Sequence, residues 1–353
     1  MIGRAALICI CLGCMSGLPE ADAAGDWPTF GSNNSRSSVT DQRVDPPLRR
    51  AWTNRALHKP QPAWPAPAGQ DFFHHHFNLR PTVTYDRAFH VVGSGDVLYF
   101  GSSADDKVCA IDAETGRLRW RFFTEGPVRF APVIAGGRLY VGSDDGCVYC
   151  LDAGDGSLLW KYDTASEGRL IPGNGRMISV QSVRTGLVVD DGTVYFGAGL
   201  FPIQGAYLVA LDASDGSEVW KQELKISPQG YILASDDRLY IPTGRTNPAI
   251  FSRSNGRYVG ELPSPGGAYA LLTEDSLVTG PGRGAKGLDV GDVQTKDRFA
   301  TFGGLRMVVK DSVAYMQSET HLSAFDRKKH FELSRQHRGM SKQCEAIEKK
   351  IKS

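Results

Sequence analysis

The feature that most constrains this chain is a phrase that recurs three times. Residues 110–120 read AIDAETGRLRW, residues 150–160 read CLDAGDGSLLW and residues 210–220 read ALDASDGSEVW. Each copy sets Asp, Gly and Trp at the same offsets: Asp112, Gly116, Trp120; Asp152, Gly156, Trp160; Asp212, Gly216, Trp220. The tryptophans are spaced by 40 and then 60 residues, one period and one period with an insertion. Such a period means that one small supersecondary unit is copied and that each unit buries its apolar faces on its neighbours.

The unit is read from its turns. Around the first copy lie AFHVV (88–92), DVLYFGS (96–102), KVCAID (107–112) and LRWRFF (118–123), four short strands divided by Gly- and Asp-rich turns. The second unit (APVIA, GRLYVGS, GCVYCLD, SLLWKY) and the third (GLVVD, GTVYFGA, AYLVALD, SEVWKQ) follow the same plan. Weaker copies occupy 230–260, 268–280 and 307–326, and Tyr99, Tyr140, Tyr195, Tyr240 and Tyr315 mark the second strand of five units. The expectation is an all-β β-propeller of four-stranded blades, six of them recognisable, in a ring whose completeness stays open.

The phrases resemble the A-x-D-x-x-T-G-x-x-x-W tryptophan-docking motif of the pyrroloquinoline-quinone-type propeller repeat. Residues 110–120 match it throughout, from Ala110 and Asp112 through Thr115 and Gly116 to Trp120. The second copy has Cys150 and Asp155 in place of Ala and Thr, and the third has Asp215 in place of Thr. The resemblance covers residues 26–326, including the opening DWPTFGSNNSRSS. It implies that Trp120, Trp160 and Trp220 are structural, each stacking on the glycine turn of an adjacent blade (Gly116, Gly156 and Gly216 being such turns) and burying about 150–250 Å². The family holds quinoprotein dehydrogenases, BamB-like outer-membrane assembly lipoproteins and other exported proteins, so the resemblance implies a fold more firmly than a chemistry.

With 353 residues the chain holds one large propeller and not two. Forty basic and 39 acidic residues give a formal charge of +1, which argues against a nucleic-acid partner. Residues 1–23 read as a signal peptide: Arg4, the apolar AALICICLGCMSG, and a cleavage site at Ala21-Asp22-Ala23. The apolar stretch is too short for a transmembrane anchor. Lipoprotein processing at Cys14, after Leu12-Gly13, is the competing reading. Either implies an exported, periplasmic or cell-envelope protein. Cys109, Cys147, Cys150 and Cys344 remain. Cys147-Val148-Tyr149-Cys150 lies in an expected strand, where positions i and i+3 point to opposite faces. Buried thiols are therefore expected there, not a metal chelate or a redox pair.

The propeller is expected over 24–326, with a basic helical segment over 327–353 in which Ile347 and Ile351 fall at helical spacing. LRRAWTNRAL (48–57) reads as a lone outer strand with Trp52 in the docking place. Either it completes the sixth blade and the helix is a tail, or the helix is an insertion and further blades follow.

Function is sought on the face that the insertions enlarge. The segment 163–186 is far longer than its counterpart 124–130, and 198–206 exceeds the equivalent turns of the first two units. Arg129, Arg169, Arg176, Arg184 and Arg245 lie in or beside these loops, with Asp105, Asp106, Asp144 and Asp145. Clustered arginines suit a carboxylate, a phosphate or the acid groups of a quinone. His74, His75 and His76, in the Pro-rich loop 60–81, are weak metal candidates, because three consecutive rings converge poorly on one ion. No catalytic residue is assigned: the chain has no Ser-His-Asp-type signature, no phosphate-cradling glycine loop and no strongly spaced metal motif. The resemblance to quinoprotein dehydrogenases implies pyrroloquinoline quinone, Ca²⁺ and an Asp base. No adjacent Cys-Cys pair is present, and no calcium ligands map onto the sequence. A non-enzymatic binding or scaffold propeller, with a protein or small-molecule partner, is the favoured expectation. A quinoprotein dehydrogenase is the first alternative and a BamB-like assembly factor the second.

Overall fold

A computed structural model of the chain describes residues 26–63, 86–165, 168–173, 175–244, 246–264, 266–267, 269–280 and 287–352. Five four-stranded antiparallel sheets follow one another, each in simple up-and-down order. The first comprises Val92–Ser94, Val97–Ser102, Lys107–Asp112 and Leu118–Phe123; the second Val133–Ala135, Arg138–Gly142, Cys147–Asp152 and Leu158–Asp163. The third runs through Val188–Asp190, Thr193–Ala198, Tyr207–Asp212 and Glu218–Glu223, and the fourth through Leu233–Ala234, Arg238–Ile241, Ala249–Ser252 and Tyr258–Glu261. The fifth holds Tyr269–Leu272, Ser276–Gly280, Leu288–Asp292 and Arg298–Phe302. A sixth sheet has three strands, Arg306–Lys310, Val313–Gln317 and Leu322–Asp326, before the helix Arg327–Lys352. These are the blades expected from the repeat. In every four-stranded sheet the pairing of the outer two strands slips at one place, beside Ala110, Cys150, Ala210, Ile250 and Val290. A bulge recurring at one position sharpens the strand twist in each blade alike.

Strand alternation explains how the blades pack. Tyr99, Val108 and Ala110 of the first sheet meet Leu139, Val141 and Leu151 of the second. The opposite face of the second, through Tyr140, Val148 and Cys150, meets Val194, Phe196 and Val209 of the third. The same relation joins the third to the fourth, the fourth to the fifth and the fifth to the sixth. Cys147 lies in the layer between the first and second sheets and Cys150 in the layer between the second and third, so one strand sends its two thiols to opposite sides. Neither is in a disulfide, and both are buried.

Residues 27–38 stitch the inner strands together. Trp27 forms a bridge with Gly93, Ile134 N donates to Pro28 O, Ala234 N to Asn34 O and Leu272 N to Ser35 O, touching the first, second, fourth and fifth sheets. Asn34 Nδ2 donates to Val189 O in the third. Residues 48–57 join no sheet, and the sixth sheet keeps three strands. Trp52 nevertheless lies on the first blade's turn: its Nε1 donates to Ala113 O at 2.9 Å, and a Cβ on Gly116 would meet its ring at 2.6 Å.

Candidate functional site

The recurring turn is built by its aspartate. Asp112 Oδ1 accepts from Thr115 N and Oγ1, Asp152 Oδ1 from Gly154 N, and Asp212 Oδ1 from Ser214 N. Each turn ends on a glycine of positive φ: +70° at Gly116, +76° at Gly156 and +76° at Gly216. That conformation suits glycine, and the absent Cβ leaves a flat seat. Trp120 occupies the seat at Gly156, Trp160 that at Gly216 and Trp220 that at Gly256, each within 2.8 Å of where a Cβ would stand. Trp120 Nε1 and Tyr99 Oη both donate to Ala153 O, and Trp160 Nε1 and Tyr140 Oη both donate to Ala213 O. Each such carbonyl thereby ties two strands of one blade to the next.

On the loop face the chain gathers four buried charges. Arg129 Nε donates to Asp144 Oδ2 at 2.6 Å and Arg129 Nη1 to Asp86 Oδ2 at 3.0 Å. Arg184 reaches the same Asp144 through Nε at 2.7 Å and Nη2 at 3.1 Å. None of the four side chains is more than 3% exposed. The local backbone puts Asp144 at this centre. Its N–H donates to Pro127 O, and its carbonyl accepts from Ser179 N and Ser182 Oγ, so it pins the stretches around Pro127 and Ser179–Ser182 to the second blade. Charges this deep are held by pairing, since removing one partner strands the other away from water. Two guanidinium groups face two carboxylates, and the formal charges cancel.

The remaining candidates are dispersed. Arg176 pairs with Asp106 and donates to Ala104 O, which latches the hairpin Leu170–Gly173/Arg176–Ser179 onto the first blade. Arg169 is exposed. Arg245, His74, His75, His76, Cys14 and the whole of 1–23 lie outside the described residues. Asp105 accepts from His58 Nδ1 at 2.6 Å, and Asp145 from Tyr149 Oη at 2.6 Å. Among the described residues, no three His, Cys, Asp or Glu side chains converge as metal ligands. The hairpin is joined to the turn 200–204 by Leu200 N donating to Val180 O and Gln181 Nε2 to Gln204 O. Hairpin and turn present exposed Leu170, Met177, Phe201 and Ile203.

Asp86 and Arg36 are among the buried charged groups that the sequence does not signal. Asp86 follows the Pro-rich loop and carries no motif. Arg36 lies in the stitching segment, is 2% exposed, and donates to four backbone carbonyls, Ile232, Leu187, Phe30 and Asn33, and to Thr29 Oγ1. Burial pulls its guanidinium down to about 10, still protonated at neutral pH.

Repeated four-stranded blades, packed face to face around a stitched centre, define a β-propeller. The family model described as outer membrane protein assembly factor BamB matches residues 43–225 and 169–259, and the chain belongs to this pyrroloquinoline-quinone-type propeller family. The chain is 33% identical over 117 residues to a quinohemoprotein alcohol dehydrogenase, ADH-IIG, of Pseudomonas putida; the match spans 33% of this chain and 14% of that protein. It is 27% identical over 130 residues to a polyvinylalcohol dehydrogenase of a Sphingopyxis species, spanning 36% of this chain and 18% of the relative. The matched stretches thus cover less than a fifth of either relative. Among solved structures, BamB of Moraxella catarrhalis superposes with a TM-score of 0.50 at 19% identity, covering 68% of this chain and 70% of that one. The quinohemoprotein alcohol dehydrogenase of Comamonas testosteroni gives 0.57 at 16% identity, covering 81% and 50%. These likenesses carry the fold.

Proposed function

We propose that the protein is an exported, non-catalytic propeller that binds a protein partner on its loop face. The observation that carries this reading is the pairing of Arg129 and Arg184 with Asp144 and Asp86. A quinone's acid groups call for cations with charge to spare. Here the two buried guanidinium groups already face an equal number of carboxylates, so this cluster does not fit that cofactor. The exposed apolar side chains of the hairpin and the adjoining turn suit a protein surface better than a polar small molecule. Export rests on the sequence of residues 1–23, and the family description gives the BamB-like role its support, for which lipidation at Cys14 would be the anchor.

The alternative, a quinoprotein dehydrogenase, has the local identity to ADH-IIG in its favour. Dye-linked oxidation of alcohols by the purified protein, after reconstitution with pyrroloquinoline quinone and Ca²⁺, separates the two. The scaffold reading expects no turnover above the quinone-free background. Turnover abolished by a chelator would establish the dehydrogenase.

A further inference from the structure

We propose that the C-terminal helix, Arg327–Lys352, is a docking element for an anionic membrane surface, lying along it without crossing it. The helix is firmly rooted. Asp326 Oδ1 accepts from Lys329 N at 2.9 Å and caps its first turn. The His330 ring sits 4.8 Å from Phe302 and 5.5 Å from Phe325, centroid to centroid, and so anchors the helix on the outer strands of the fifth and sixth blades. Arg327 pairs with Asp275 at 2.5 Å and Arg335 with Asp292 at 2.8 Å.

Beyond Arg335 the helix leaves this anchor. Leu333, Met340 and Ile347 are spaced by seven, and Cys344 and Ile351 stand four residues beyond Met340 and Ile347, which puts all five on one face. That face is uncovered: Leu333 is 55% exposed, Met340 58%, Ile347 57% and Ile351 78%, and Cys344 is exposed. The same 26 residues contain nine Lys or Arg against three Glu, a net +6 in a chain whose total is +1. An apolar stripe on a concentrated positive charge is the composition of a helix that settles at the boundary of an anionic bilayer. Charge complementarity selects this occupant over a second copy, since two such stripes face to face would bring like charges together. No described helix is long and apolar enough to cross a membrane, so the helix would lie in the interface plane.

The test is co-sedimentation of the full-length protein with vesicles of phosphatidylcholine alone, or of phosphatidylcholine with a third of phosphatidylglycerol. Binding is expected only to the anionic vesicles, and at least about tenfold weaker in about 0.5 M salt. The double variant Met340→Glu/Ile347→Glu, whose changes sit on exposed positions, should melt as the wild type does and bind at least about tenfold less. Equal binding to both vesicles, binding to neither, or undiminished binding by the double variant would overturn the proposal. So would a dimer in sedimentation equilibrium that the double variant converts to monomer, which would give the stripe to a second copy.

Discussion

At the scale of the residue, the blade contact is a tryptophan on a glycine, secured by one shared carbonyl. Trp160 is 9% exposed, lies on Gly216 and donates to Ala213 O at 3.1 Å. Trp160→Ala removes the ring, its hydrogen bond and the neighbour's cover together. It should lower the stability of the domain by about 3–5 kcal/mol in a chemical denaturation series. Trp220, only partly buried and seated on Gly256, should cost less when truncated in the same way. Equal and negligible losses at both positions would show that the seats do not hold the blades together. Between the fourth and fifth blades the pairing is inverted. Position 260, eight residues after Ser252 as Trp120 is after Asp112, is a glycine, and the fifth blade's turn carries Lys296 at φ +60° where the others carry glycine. The Lys296 Nζ donates to Val259 O at 2.9 Å, and a Cβ on Gly260 would come within 2.8 Å of that nitrogen. The long side chain has moved from the strand to the turn, and the glycine from the turn to the strand.

At the scale of the element, the third strand of the second blade places both its cysteines in apolar layers. Burial pushes the Cys147 thiol up to about 12, with Asp145 adding to the effect, and the Cys150 thiol up to about 11 despite the opposing Arg138. The ordinary value is 9.0. Because the folded chain holds these protons more tightly than the unfolded one, the stabilisation is complete below pH 9 and is lost as pH rises from there toward 11–12. Denaturation midpoints should therefore fall across that alkaline window, and Cys147→Ala/Cys150→Ala should flatten the fall. A pH profile unchanged by the double substitution would contradict the assignment. The strands of the first three blades were legible because Asp, Gly and Trp are all present and the alternation is strict. The fifth blade's outer strand was not, because Ala300 stands where a tryptophan would. The separate fates of Cys147 and Cys150 followed from strand geometry alone. What hid the candidate site was distance in sequence. Arg129, Asp144 and Arg184 belong to three loops, and only the packing of blades on one another decides that two arginines share one carboxylate. The single Arg36 in a Ser- and Asn-rich stretch gave no sign of burial, since its partners are backbone carbonyls that no sequence pattern displays.

At the scale of the whole molecule, the centre is occupied by the protein itself. Residues 27–38 bind the inner strands, and Arg36 carries a charge there that is met by carbonyl dipoles. The loop face carries a neutral cluster of two arginines and two aspartates, flanked by a hairpin that the blade plan does not require. A propeller arranged in this way invests its buried polar groups in its own cohesion, and under the proposed function recognition falls to its exposed loops. Relatives of the chain are named as an assembly factor and as dehydrogenases, and the proposed function requires that the buried arginines of this chain offer no charge to a quinone. Isothermal titration of pyrroloquinoline quinone, in the presence of Ca²⁺, into the wild-type protein measures this directly. With Arg129 and Arg184 committed to Asp144 and Asp86, the titration should give no saturable heat. A saturable one-to-one isotherm that Arg129→Ala or Arg184→Ala abolishes, in variants that remain folded, would contradict the scaffold reading and place a quinone at this cluster.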